Sequence, residues 1–448
     1  MRRRRGLFKI SAILLFLFIL SALPLSPPVY SAREISPLKK LSREEQDYFS
    51  SLYKDMWDYL SAYVEKSTGL PYDSSAKQPP TSLMNVGLYL ASAAVAYQTG
   101  LISRDEAAGR VRQALASIKS IPAWRGFPSP WILVRTLKPT YGEEFSYGPH
   151  LASLLGGLIV VKTTFPEFAG EIERMLLNAD FKSLYDPYQG WLKGGYNMKT
   201  QNFAIFQPWG HWYYKHFASE TRLLSFYLIA RKLVPKDHWF ALVRDPREKE
   251  GESFFMSGPE EGGFLPQYFA GIFMDEGEEE MGGSQKNYTR YQMKRAGKIK
   301  APVWGWSPSQ TPQGRYLTAG ELRDEIVAPY ASMMAVGYFP KEVYKNLKKA
   351  EELGARPQIN SQGATLGFRD SLNWRTGEVS KQYVTLSQAA GFLSLANLLY
   401  GGVVRQSFGR DAVVQRGFEI LNRLPQVELA PASIPEGRSW DSGRRVSF

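Results

Sequence analysis

Two carboxylates stand out by their neighbours. Glu220 lies in the stretch from Pro208 to Tyr227, PWGHWYYKHFASETRLLSFY, between an aromatic loop and a run that turns apolar at helical spacing. The loop holds Trp209, Trp212, Tyr213 and Tyr214, and two of the four histidines, His211 and His216. Asp370 lies in Gly367-Phe368-Arg369-Asp370-Ser371-Leu372-Asn373-Trp374. Glycosidic cleavage needs an acid that protonates the leaving oxygen and a carboxylate that activates water. Aromatic planes supply faces on which the C–H sides of sugar rings stack. Glu220 is therefore a candidate general acid. Its local context fits equally well an ordinary first-turn glutamate favoured by the helix dipole. For Asp370, the adjacent Arg369 predicts a carboxylate held in its ionised form.

The other candidate contacts fall in long inter-helix segments, which carry eight of the eleven tryptophans. Trp209, Trp212, Trp304, Trp306 and Tyr383 are candidate sugar platforms, Arg222 a residue that would orient a carboxylate, and His150 and His211 further substrate contacts. The alternative role for these aromatics is to staple long loops down. The run Asp275-Glu276-Gly277-Glu278-Glu279-Glu280 reads as a solvated turn. With four histidines, no HExxH and no cysteine, the chain offers no zinc pattern and no thiol nucleophile. Acid–base chemistry on a sugar calls for no metal and no organic cofactor.

The elements that must hold these residues follow from hydrophobic periodicity. Six runs are apolar on all sides: Thr81 to Tyr97, His150 to Val161, Glu220 to Ala230, Gly263 to Met274, Ile326 to Tyr338 and Leu386 to Tyr400. Such helices are buried all round. Each follows an amphipathic segment, the first being residues 41–66, where Ser42 and Glu45 form a capping-box pattern. The pattern predicts an all-α fold, an α/α toroid of six helical hairpins with buried helices inside. An open solenoid is the competing layout, but no repeat of fixed period supports it. Segments entering the buried helices are long (67–81, 121–146, 185–219, 244–262, 298–325 and 354–385) and those leaving them are short. The long loops thus share one rim and form a cleft, with Glu220 and Asp370 facing each other across it.

Residues 1–31 combine a basic start, an apolar run and small residues before a cleavage position after Ser31. This predicts a signal peptide and a periplasmic or secreted protein; a retained anchor is the other reading. Residues 32–424 would form the toroid domain and 425–448 a loosely ordered, Pro- and Ser-rich tail. The chain's net charge is +12, of which five positive charges lie in residues 1–31 with no acid, leaving about +7 for the rest. No basic run with interleaved aromatics suggests nucleic acid, and no later segment suggests a membrane span. The expected partner is an oligo- or polysaccharide; the sequence does not specify an oligomeric state.

Several segments, in order, resemble the bacterial glycoamylase-like domain family, which includes relatives of endo-β-1,2-glucanases and of the glycoamylase-like part of cyclic β-1,2-glucan synthases. The matching segments are Thr81-Ser82 through Arg104-Asp105-Glu106, HFASETRLLSFYLIARKLVPKDHWF, Gly263 through Asp275, Trp304-Gly305-Trp306-Ser307-Pro308-Ser309, Val327-Ala328-Pro329-Tyr330-Ala331-Ser332, Phe339 through Glu342, Gly367-Phe368-Arg369-Asp370, and Tyr383 to Leu399. The resemblance implies an α/α toroid acting on glucans, with an acid at Glu220 and a second polar carboxylate at Asp370. Three family acids are absent: the stretch Ser146 to Leu151 lacks one, and Gln310 and Ser387 stand at the positions of two others. Two functions follow. One is an exported glycoside hydrolase acting on a glucan or other bacterial polysaccharide. The other is a non-catalytic carbohydrate-binding or envelope glycan assembly protein on the same fold.

Overall fold

The computed structural model describes residues 37–140, 144–146, 148–198, 200–203, 212–258, 262–277, 280–318, 320, 324–359 and 363–421. The expected signal peptide and the expected tail lie outside these residues. Among the described residues no helix is long and apolar enough to cross a membrane.

Helices follow one another in pairs. They are α1 (Arg43–Ala62) and α2 (Leu83–Gln98), α3 (Arg104–Ser120) and α4 (Gly148–Thr164), α5 (Pro166–Asn178) and α6 (Arg222–Ala230), α7 (Asp237–Ala241) and α8 (Phe264–Phe273), α9 (Met281–Ile299) and α10 (Pro329–Met334), and α11 (Pro340–Glu352) and α12 (Thr385–Leu399). Two short helices, α13 (Val403–Gly409) and α14 (Ala412–Ile420), end the described chain. The second member of every pair is buried almost throughout, while the first buries one stripe. Starts agree with local chemistry. Ser42 accepts from the Glu45 N–H at 3.2 Å and its own N–H donates to the Glu45 carboxylate at 2.7 Å, the predicted capping box. Ser103 caps α3, and Pro329 and Pro340 open α10 and α11 where a missing N–H costs nothing. α10 is shorter than its apolar run, because Ile326 and Val327 pair instead with Asn373 and Leu372 as two-residue strands.

The buried helices pack on one another, α2 on α4, α4 on α6, α8 on α10, α10 on α12 and α12 on α2, and α13 lies against α4, α8 and α12. The α2–α4 contact is the tightest. A Cβ added at Gly157 would sit 2.0 Å from the Gly87 carbonyl oxygen, and one at Gly87 would sit 2.2 Å from that of Ser153. Only glycine allows backbones this close. Ser153 Oγ also donates to the Met84 carbonyl at 2.7 Å, so the apolar interface keeps its one polar group satisfied.

All described strands are short and lie in the segments that enter the buried helices. The long loops are thus tied into small hairpins at the N-terminal ends of those helices. Their backbone groups find partners in each other rather than in a central sheet.

Gly157→Ala should lower the unfolding free energy by about 3 kcal/mol, because two backbones must separate. Gly109→Ala, in α3 with nothing within 4 Å of its added Cβ, should be neutral or slightly stabilising. Chemical denaturation of both variants checks the contrast.

Candidate active site

The segment Trp304 to Ser309 is a clamp rather than a surface. Trp306 has 0% exposure and Trp304 is buried beside it. The Asn346 side chain holds the Trp304 backbone on both sides, accepting from its N–H at 2.9 Å and donating to its carbonyl at 2.8 Å. The Trp306 N–H donates to Gln292 at 2.8 Å and its indole N–H to the Asp324 carbonyl at 3.0 Å. Neither ring can serve as the expected sugar platform, because both faces are spent on packing. The segment instead holds the start of α8: Phe264 N–H donates to the Trp306 carbonyl and Leu265 N–H to Ser307 Oγ, while Tyr330 OH donates to Ser307 and to the Pro308 carbonyl. It then delivers Ser309–Gln310, which pairs with Tyr316–Leu317 as a small hairpin.

That hairpin fixes Asp370. The Gln310 N–H donates to Asp370 Oδ2 at 2.5 Å, and Ser387 Oγ, in the first turn of α12, donates to Oδ1 at 2.5 Å. Asp370 is 1% exposed, and burial pushes its carboxyl up to about 6 despite these two donors. The expectation that Arg369 holds it ionised is corrected. Arg369 turns away, donating to the Lys381 carbonyl with its guanidinium 4.1 Å from the centre of the Tyr383 ring. Tyr383 is accordingly buried under Arg369 and against Tyr59, and is no exposed platform either.

A third carboxylate, Asp73, joins this wall. Asp370 N–H donates to the Gln382 carbonyl at 3.0 Å, and Thr385 N–H donates to the Asp73 carbonyl at 2.8 Å, so one extended segment carries both. Asn85 donates to the Asp73 carboxylate at 2.7 Å, and burial raises its pKa. Sequence reading placed Asp73 among many rim acids without distinguishing it. Nothing local marks it, since its partners Asn85 and Thr385 are distant in sequence.

Glu220 sits one residue before Thr221, the cap of α6, rather than inside the helix. Its surface stays partly open, yet it lies deep among protein atoms, and burial pushes its carboxyl up to about 7. A glutamate governed by the helix dipole would be shifted down, so desolvation outweighs the dipole here. Among the described residues no cation relieves it. Arg222, expected to orient a carboxylate at the substrate, is fully buried and forms a two-pronged pair with Glu276 at 2.7 and 2.8 Å. Glu276 is 2% exposed, so the acidic run after α8 is not a wholly solvated turn. Two buried charges can persist only as partners.

Glu220, Asp370 and Asp73 meet at one place. The Tyr316 hydroxyl is held protonated by burial and then by the charges of Asp370, Asp73 and Glu220. Tyr330, below it, likewise feels Asp370 and Glu220. The two expected catalytic carboxylates are therefore both near enough to act on Tyr316. His150, in the first turn of α4, has its ring edge on Trp131 and is pushed down to about 4 by burial, so it is a neutral group near neutral pH. Trp212 keeps 44% of its surface exposed. Trp209 and His211 lie outside the described residues. His238 of the VPKDHWF segment is structural, bridging the Gly190 carbonyl at 2.7 Å and Ser225 Oγ at 2.9 Å. Among the described residues no cluster of His, Asp and Glu could hold a metal.

A helix-rich scaffold with three carboxylates gathered around Tyr316 invites comparison with known proteins. Residues 268–410, which include Asp370, match the glycoamylase family described as "Putative glucoamylase". Residues 52–244, which include Glu220, match a family described as a protein of unknown function, DUF3131. The chain is 24% identical over 281 residues to the cyclic beta-(1,2)-glucan synthase NdvB of Rhizobium meliloti (strain 1021), a match covering 57% of this chain and 9% of that protein. It thus spans only a small part of that relative. Its fold is similar to a glucoamylase-like protein from Bacteroides fragilis (TM-score 0.73, 17% identity, 87% of this chain and 98% of the other). It is similar also to the endo-beta-1,2-glucanase from Chitinophaga pinensis solved with sophorotriose and glucose (TM-score 0.71, 15% identity, 85% and 98%).

Two outcomes test the electrostatics without substrate. Since the folded Glu220 pKa lies above its ordinary value, ionisation opposes folding, and the stability present at low pH is lost as pH rises towards 7. Glu220→Gln, which mimics the protonated acid, should therefore raise the melting temperature at pH 8 and leave it unchanged at pH 4. A drop at pH 8 would mean that Glu220 has an ionised partner. Removing one member of the buried pair, Glu276→Ala, should cost about 3–5 kcal/mol in a denaturant titration.

Proposed function

We propose that this chain is an exported glycoside hydrolase that cleaves a glucan, with Glu220 as general acid and Asp370 as base. The observation that carries this reading is the pair of raised carboxyls that both act on Tyr316, Glu220 at about 7 and Asp370 at about 6. Between these values Glu220 is mostly protonated and Asp370 mostly ionised, as an acid and a base must be. Glu220 is open enough to reach a glycosidic oxygen. Asp370, almost fully buried, would take its proton from water through a substrate hydroxyl rather than by direct contact. The scaffold in this reading is an α/α toroid of six hairpins. The alternation of buried and half-exposed helices, and the chain of contacts from α8 through α10, α12, α2 and α4 to α6, support it. Arg222 and Glu276 bridge from α6 to the turn after α8, where the ring would close. Substrate linkage is taken from the similar proteins: a β-1,2-glucan is the first candidate, given the glucanase solved with sophorotriose and the glucan synthase relative. Export rests on residues 1–31 alone.

A second reading has its own observation. Both Asp370 oxygens already accept hydrogen bonds, from Gln310 N–H and Ser387, at positions where the family resemblance places further acids. A site with fewer acids could bind glycan without cutting it.

Incubation with β-1,2-, β-1,3-, β-1,4- and α-1,4-linked glucans, with detection of new reducing ends, separates the two. For the hydrolase, kcat/KM should be bell-shaped, falling below about pH 6 as Asp370 protonates and above about pH 7 as Glu220 ionises. Ser387→Ala removes a donor to the ionised Asp370 and should move the acidic limb upward. Oligosaccharide affinity with no reducing ends would select the binder.

A further inference from the structure

We infer that Tyr316 is a substrate-contacting residue of this cleft, its ring the platform for the sugar beside the scissile bond and its hydroxyl a donor to that sugar. The inference deepens the glycan-site reading and rests on it. Four observations lead to it. Tyr316 is 57% exposed although Asp370, Asp73 and Glu220 all lie near enough to act on its hydroxyl. A large aromatic that is both surrounded and reachable lines a concavity rather than an outer surface. Its position is set tightly. Tyr316 pairs with Gln310, the residue whose N–H holds Asp370, and the turn between them is closed by Thr311 N–H on the Arg315 carbonyl at 2.7 Å and Gly314 N–H on the Thr311 carbonyl at 2.8 Å. The strand alternation then sends Leu317 into the protein and Tyr316 outward. Finally, the Tyr316 side chain makes no hydrogen bond and no ring contact with any described residue. An exposed tyrosine on a hairpin, with no side-chain hydrogen bond or ring partner among the described residues, contributes little to the fold.

Its surroundings specify the ligand. Asp370, Asp73 and Glu220 all act on the hydroxyl and keep it a phenol, so it is a donor and not an anion. A hydroxyl donor, carboxylate acceptors and one flat apolar face together suit a neutral polyhydroxylated ring, with its C–H side on the tyrosine and its hydroxyls on the acids. The buried Trp304, Trp306 and Tyr383 cannot take this role.

The test uses Glu220→Gln as the binding-competent background and calorimetry with β-1,2-, β-1,3-, β-1,4- and α-1,4-linked gluco-oligosaccharides as probes. For the oligosaccharide that binds, adding Tyr316→Ala should weaken affinity about thirtyfold. Tyr316→Phe, which keeps the ring, should weaken it about threefold to tenfold, and Tyr316→Trp should bind more tightly than the Ala variant. Melting temperatures should stay within about 2 °C of the background, since the side chain is more than half exposed and makes no hydrogen bond to a described residue. If Tyr316→Ala binds as tightly as the background, the inference is overturned and the glycan site stands. If the background binds none of the probes, both fall.

Discussion

A guanidinium two residues from Glu220 would, if free, hold that carboxyl ionised and useless as an acid. Glu276 prevents this. Arg222 is instead taken into a fully buried, two-pronged pair with Glu276. The same pair fastens the start of α6 to the turn after α8, two residues from Glu220. Neither charge could remain in the interior alone.

Desolvation then sets both sides of the site. Glu220 faces open space but few polar groups, and its proton is retained to about pH 7. Asp370 is more deeply buried, yet two donors hold it nearer to about 6. Much of the difference is the lower ordinary value of an aspartate, and the two hydrogen bonds offset its deeper burial. In place of further acids the chain presents Ser387 and the Gln310 backbone, neutral donors that stabilise a carboxylate without repelling it. Fewer like charges make Asp370 easier to ionise than it would be in a more acidic cluster.

The motifs that carry the family resemblance divide into two kinds. Trp304-Gly305-Trp306, His238-Trp239 and Val327-Ala328-Pro329-Tyr330 are buried joints that lock the long loops to the helices. Glu220 and Asp370 are the polar residues those joints present. Similarity in such segments follows from packing as much as from chemistry, and fold likeness at 15–17% identity describes the scaffold only.

What the sequence by itself determined was whatever depends on neighbours along the chain. The alternation of apolar and amphipathic helices, the capping box at Ser42 and the long loops at one end of the buried helices all follow from local periodicity and local hydrogen bonds. The significance of Glu220 was legible because its flanking residues are unusual. Tertiary structure alone decided which side chains face the cleft. Composition marks Trp304, Trp306, Tyr383 and Arg222 as able to meet a sugar, but each is turned inward by a partner far away in sequence: Asn346 and Gln292 for the tryptophans, Tyr59 for the tyrosine, Glu276 for the arginine. Asp73 and Tyr316, unremarkable in sequence, enter the site because a strand segment and a tight hairpin bring them beside Asp370. Burial is a property of the folded whole, and both the reach of an aromatic ring and the pKa of a carboxyl are set by it.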